Sequence, residues 1–280
     1  MTIPKLVAKI ESEEPKLRLA VLIDADNISA DVIEGLLTEV ASFGEATVKR
    51  IYGDFTAQTS SKWKQCLNKY AIKPVQQFAY TTGKNATDST LIIDAMDLLY
   101  TKRFDGFCLV SSDSDFTGLA TRIREEGLLV LGFGEKKTPE AFRNACHKFI
   151  LTEILKAVTP ENNIAIAVPI KSDENNKSKP ALEAPLVEKN NLLVEQVVNN
   201  KELPLGFILE ALDKSVDDNG WAHLGTFGSF LTKLKPDFDV RIYGFKKLSD
   251  LVKQRKDVFE IEERVLKDSN TKVLYVRAKK

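Results

Sequence analysis

Leu19-Ala-Val-Leu-Ile23, followed at once by Asp24-Ala-Asp26-Asn27, is an apolar run that ends in acid. A short run with no polar position reads as a strand buried on both faces. The next apolar residues, Val32, Ile33, Leu36, Leu37 and Val40, fall at helical spacing, and Ser29 stands where an N-cap belongs. The alternation continues, with strands expected at 46–52, 74–79, 106–110 and 128–133. Helices are expected at 60–70, 88–100 and 116–126, and a short one near Ala141. Residues 17–157 therefore read as an α/β domain, a parallel sheet with helices on both faces. In such sheets ligands bind beyond the carboxyl ends of the strands.

Carboxylates collect at those ends. The first strand runs into Asp24 and Asp26, the second into Asp54, and the fourth into Ser111-Ser112-Asp113-Ser114-Asp115-Phe116. Gly83-Lys84-Asn85-Ala86-Thr87-Asp88 leads into a helix at the same edge. Acids that converge without a counter-charge repel one another and hold protons. A hard divalent cation, Mg2+ or Mn2+, relieves this through oxygen ligands and suits phosphodiester chemistry. Lys84 has the charge to meet a substrate phosphate. Each acid also has a plainer reading. Asp113 or Asp115 can cap the next helix, Asp88 can favour a helix dipole, and Asp54 can serve a turn. Asp26 shares a face with Asp24 only if the backbone stays extended, and Asp94 and Asp97 are expected on a solvated helix face.

Composition narrows the chemistry further. The 280 residues hold 40 Lys+Arg and 40 Asp+Glu, so a globally basic nucleic-acid coat is excluded. The two histidines, His147 and His223, are far apart, which disfavours histidine metal sites and Ser-His triads. Cys66, Cys108 and Cys146 form no CxxC, which fits a reducing, cytoplasmic setting. No apolar run approaches the ~18 residues of a membrane span, and the tail 1–16 lacks the order of a signal peptide. There is no GxGxxG after the first strand and no GxxxxGK[ST]. An EF-hand fails as well, because Gly35 and Arg124 stand where its last ligand belongs.

Asp24-Ala-Asp-Asn27, Gly83-Lys-Asn-Ala-Thr-Asp88 and Ser111-Ser-Asp113-Ser-Asp115-Phe116, in this order, resemble the NYN family, relatives of PIN-type ribonucleases. The resemblance implies a Rossmann-like fold, an acidic pocket for Mg2+ or Mn2+, and RNA cleavage. It makes Asp24, Asp88, Asp113 and Asp115 the metal-binding, catalytic acids. Asn27, Lys84 and Ser112 become the substrate-side residues, with Asn27 also able to brace the first loop. Many members carry Lys-Gly-x-Asp, whereas Asn-Ala-Thr separates Lys84 from Asp88 here.

Residues 158–200 are rich in Pro, Asn and charge and read as a flexible linker. Beyond it, 201–280 shows three helical patterns and then two strands, 259–265 and 272–277, the plan of a winged helix. Between Lys233 and Lys256 eight basic residues face three acids, a local net of +5. Lys246, Lys253 and Lys256 are expected on one side of the third helix, opposite Phe245 and Leu248, and with Lys247 they are the expected phosphate contacts; from charge alone a solvated helix face is an equal reading. Gly220-Trp-Ala-His-Leu-Gly-Thr-Phe-Gly-Ser-Phe230, with Lys235-Pro-Asp-Phe238 and Tyr243-Gly-Phe245, resembles the OST-HTH/LOTUS domain. That resemblance implies an RNA-binding or partner-binding module. Trp221 itself reads more readily as a core residue than as a base-stacking one.

The leading expectation is a metal-dependent ribonuclease with a tethered RNA-reading module. A non-catalytic RNA-binding or scaffold protein is the alternative. A haloacid-dehalogenase-like phosphatase, suggested by Asp24-x-Asp26, leaves the winged helix unexplained.

Overall fold

A computed structural model of the chain describes residues 16–56, 61–78, 86–156, 202–265 and 272–279. The expected linker, Lys84 and nearly all of the tail lie outside these residues.

The N-terminal domain runs β1 (Arg18–Asp24), α1 (Ile33–Ala41), β2 (Glu45–Gly53), α2 (Ser61–Lys69), β3 (Lys73–Gln76) and α3 (Ala86–Tyr100). It continues with β4 (Gly106–Val110), α4 (Thr117–Glu125), β5 (Leu129–Gly134), α5 (Glu140–Ala145) and β6 (Lys148–Leu151). Six strands pair in the order β3-β2-β1-β4-β5-β6, every pair parallel. Residues Leu19 to Ile23 are fully buried because helices cover both faces of their strand. One core holds Leu22, Tyr52, Leu91, Phe107, Phe116 and Phe142; the other holds Val21, Ile23, Leu36, Ile51 and Phe133. α1 follows a short 3-10 turn capped by Ser29, whose side chain accepts from the Asp31 N–H. It buries Ile33, Leu36 and Val40 on a single stripe. Each such side chain contributes roughly 1.5–3 kcal/mol by leaving water.

Strand order reverses between β1 and β4. Asp24, Ser111 and Asp113 stand at this switch point, where ligands bind in such sheets. Gly53 permits the neighbouring loop to sit close, since a Cβ there would lie 2.9 Å from the Cβ of Ala25.

The C-terminal domain comprises α6 (Leu205–Asp213), β7 (Ala222–His223), α7 (Leu224–Leu234), α8 (Leu248–Gln254), β8 (Phe259–Val265) and β9 (Lys272–Ala278). Its antiparallel sheet has the order β7-β9-β8, and a separate core gathers Ile208, Phe227, Leu231, Leu251 and Phe259. This is the expected winged-helix plan with an added short strand, β7.

The sequence reading treats the two domains as tethered; the structure adds direct contact. Segment 236–243 meets the N-terminal domain at β6, α1 and α5. Phe149 donates its backbone N–H to the Pro236 carbonyl at 2.9 Å. The Arg241 guanidinium grips Glu39 of α1 through two bonds, of 2.7 and 3.0 Å, and also holds Asp239. Arg143 of α5 pairs with Asp237. No helix among the described residues is long and apolar enough to cross a membrane.

Candidate functional site

Asp24 closes β1 and is fully buried. Its Oδ1 accepts the Asp26 N–H at 3.0 Å; its Oδ2 accepts both Asn27 Nδ2 and Ser111 Oγ, each at 2.7 Å. Burial raises its carboxyl above the ordinary value, and these hydrogen bonds counter only part of that. Ser111 in turn accepts the Asp113 N–H at 3.1 Å, so its hydroxyl couples the loop after β1 to the loop after β4.

Asp113 then caps a 3-10 turn over Ser114–Phe116, its Oδ1 accepting from the Asp115 N–H at 2.9 Å. The capping role and the functional one therefore coexist. Asp88 arrives from the first turn of α3. Each of Asp88, Asp113 and Asp115 offers one carboxylate oxygen to a set whose members all lie within 4.8 Å of one another. Asp88 is pushed up to about 6, first by partial burial and then by repulsion from Asp24, Asp113, Asp115 and Asp26.

The sequence-derived residues thus divide. Asp88, Asp113 and Asp115 come together. Asp24 stands beside them with both oxygens engaged by donors of the chain itself. Asn27 braces the first loop. Ser112 is buried and accepts the Glu135 N–H at 2.9 Å, holding the loop after β5. Thr87 Oγ1 donates to Asp26 at 3.0 Å, so Asp26 binds the β1 loop to the start of α3. Asp54 accepts from Gln76 and Thr56, the turn role expected of it.

Asp94 corrects the sequence reading. In place of a solvated face, it meets Arg50 and the Tyr52 hydroxyl, both from β2. Hydropathy spacing cannot reveal this, because the partners lie on a strand more than 40 residues earlier. Tyr52 is fully buried, so its hydroxyl needs an acceptor, and the pair fastens α3 to the sheet six residues beyond Asp88.

In the C-terminal domain Lys246, Lys247, Lys253 and Lys256 are all exposed. α8 begins only at Leu248, after left-handed Gly244 (φ 84°) and extended Lys247, so Lys253 alone of the four is on the helix. Lys246 borders an interdomain cavity of about 320 Å3, along with Glu39, Lys148 and Arg241.

The NYN domain model matches residues 18–154, and the OST-HTH/LOTUS domain model matches residues 192–270. This is an NYN-domain protein with a C-terminal OST-HTH/LOTUS domain. The first places it in the PIN-like nuclease superfamily, and the second is an RNA-associated module.

Three solved structures resemble parts of the chain. An uncharacterized protein of Nitrosomonas europaea is 49% identical over 33% of this chain and 89% of its own, with a TM-score of 0.30. A protein fragment from Chromobacterium violaceum is 29% identical over 29% of this chain and 84% of its own, with a TM-score of 0.23. A protein of unknown function from Vibrio parahaemolyticus is 19% identical over 49% of this chain and 94% of its own, with a TM-score of 0.41. No curated protein matches the chain.

Proposed function

We propose that this protein is a divalent-metal-dependent ribonuclease whose OST-HTH/LOTUS domain helps to hold the RNA. The reading rests on one observation: Asp88, Asp113 and Asp115 converge within 4.8 Å beside buried Asp24, at the switch point of an NYN domain. An all-oxygen, histidine-free donor set fits Mg2+ or Mn2+, and the raised carboxyl of Asp88 is that of a site short of positive charge. When bound, such an ion would polarise the scissile phosphate and lower the pKa of water.

Asp88, Asp113 and Asp115 would hold the ion. Asp24, expected from the sequence as a fourth ligand, acts through its field and through Ser111, which fixes the Asp113 loop. Asn27 and Ser112 support the two loops from behind. Lys84, just ahead of α3 in sequence, meets a substrate phosphate, and Lys246, Lys247, Lys253 and Lys256 attract the RNA backbone.

The test is hydrolysis of end-labelled single-stranded RNA with Mg2+, Mn2+ or EDTA. Cleavage is expected with either metal, with none in EDTA and a loss of at least about 100-fold in Asp88→Asn and Asp113→Asn, the scale of a lost catalytic group. Equal cleavage by wild type and both variants would mean a contaminating nuclease and end the reading.

A further inference from the structure

The outward face of the C-terminal sheet carries chemistry that the acidic pocket does not use. Ala222, Ile261 and Val276 pair across the three strands and belong to the core side of the sheet. Strand alternation therefore turns His223, Tyr275, Arg277, Glu260, Glu262 and Arg264 outward. Trp221, immediately before β7, joins them and is only half-buried, contrary to the core position its sequence context suggests.

The planar groups on this face are laid against one another. The Arg264 guanidinium lies 4.1 Å from the ring centroid of Tyr275 and 5.5 Å from that of Trp221, and Arg277 lies 4.6 Å from Trp221. The His223 ring meets Tyr275 edge-on at 5.7 Å. Glu262 pairs with Arg264 and Glu260 with Arg277, so the arginine charges are balanced locally. A neutralised face is a poor track for phosphates. What it offers is guanidinium planes stacked with aromatic rings and in-plane hydrogen-bonding groups, the chemistry that receives unstacked bases. Beside Arg277 a hollow of about 500 Å3 opens between the apolar walls of Leu209 and Val216 and the rim residue Lys279.

We propose that this face, built of Trp221 and Tyr275 with Arg264 and Arg277 laid over their rings, is a stacking site for unpaired RNA bases. The inference deepens the proposed function by naming where the module meets RNA, and it rests on RNA being the partner. It also divides the labour in the C-terminal domain. Bases stack on the sheet, while Lys253 and Lys256 supply the salt-dependent attraction to phosphates.

The experiment titrates the full-length protein with single-stranded oligoribonucleotides in EDTA, following tryptophan emission and anisotropy of labelled RNA. EDTA removes cleavage, so the nuclease reading can fail while this one holds, and the reverse. The other tryptophan, Trp63, is buried in the NYN domain. RNA is expected to quench emission in the wild type but not in Trp221→Phe. Trp221→Ala and Tyr275→Ala should each weaken binding about tenfold, the scale of one lost base stack, with the slope of log affinity against log salt unchanged. Lys253→Gln/Lys256→Gln should flatten that slope instead. Should Trp221→Ala fail to fold, the quenching comparison with Trp221→Phe decides. Wild-type affinity in folded Trp221→Ala and Tyr275→Ala, RNA binding without quenching, or no RNA binding by the wild type would each overturn the proposal. The last two outcomes leave a protein ligand as the occupant of this face.

Discussion

Ser111 donates its hydroxyl to the buried Asp24 carboxylate at 2.7 Å while accepting the Asp113 N–H at 3.1 Å. One small side chain thereby sets the spacing between the acid that closes β1 and the loop that carries two more. Ser111→Ala leaves a buried carboxylate short of a donor, a loss of about 1–3 kcal/mol. A lower urea midpoint is expected, together with weaker Mn2+ binding by calorimetry. A variant matching wild type in both would show that the two loops are positioned independently.

The raised carboxyl of Asp88 has a sign that can be checked. Its folded value of about 6 lies above the ordinary 3.8, so the folded protein holds the proton more tightly than the unfolded chain does. The favourable contribution is full below about pH 4 and is lost as pH rises towards 6. In EDTA, thermal stability should therefore fall over that window, and Asp88→Asn should show a shallower fall. Mn2+ competes with the same proton, so its apparent affinity should rise between about pH 5 and 7. Parallel pH profiles for variant and wild type would count against the crowded-acid description.

Asp94 anchors the helix that presents Asp88. Replacing it with Leu strands the buried Tyr52 hydroxyl and the half-buried Arg50 guanidinium, at a cost of about 2–4 kcal/mol. Tyr52→Phe, which removes only the hydroxyl, should cost about 1 kcal/mol. Denaturant melts of the two variants give the ranking. Equal values would mean that the Arg50 pair adds nothing to the anchor beyond the Tyr52 bond.

Arg241 links the domains through Glu39, so reversing its charge should part them. Arg241→Glu is expected to enlarge the radius of gyration seen by small-angle scattering, and adding Glu39→Arg should restore it. The pair is only partly exposed, so salt should weaken it less than it weakens surface pairs. Identical scattering from all three proteins would remove Arg241 as the link.

Much of this architecture is legible from local pattern. The run from Leu19 to Ile23 and its repeats at 106–110 and 128–133 mark the central strands, because burial on both faces leaves no polar position. The acids after β1 and β4 follow from the rule about strand ends. What escapes is nonlocal. The edge strand β6 has only four residues, too few to carry a pattern. Asp94 sits among apolar neighbours whose helical phase suggests solvent, and only pairing with β2 reveals its role. Ser111 and Ser112 look interchangeable in sequence, yet one bridges the acids while the other holds the loop after β5. The basic residues 246–256 suggest a helical stripe, but Gly244 and Lys247 delay the helix until Leu248.

The bond from Phe149 to Pro236 bears on how the N-terminal half behaves in isolation. β6 is the open margin of a parallel sheet, and its outward amide is answered by the C-terminal domain. Cutting the chain between the domains would expose an unsatisfied strand margin to its own copies, an invitation to edge-to-edge polymerisation. An excised nuclease half is therefore expected to self-associate more readily than the full-length protein.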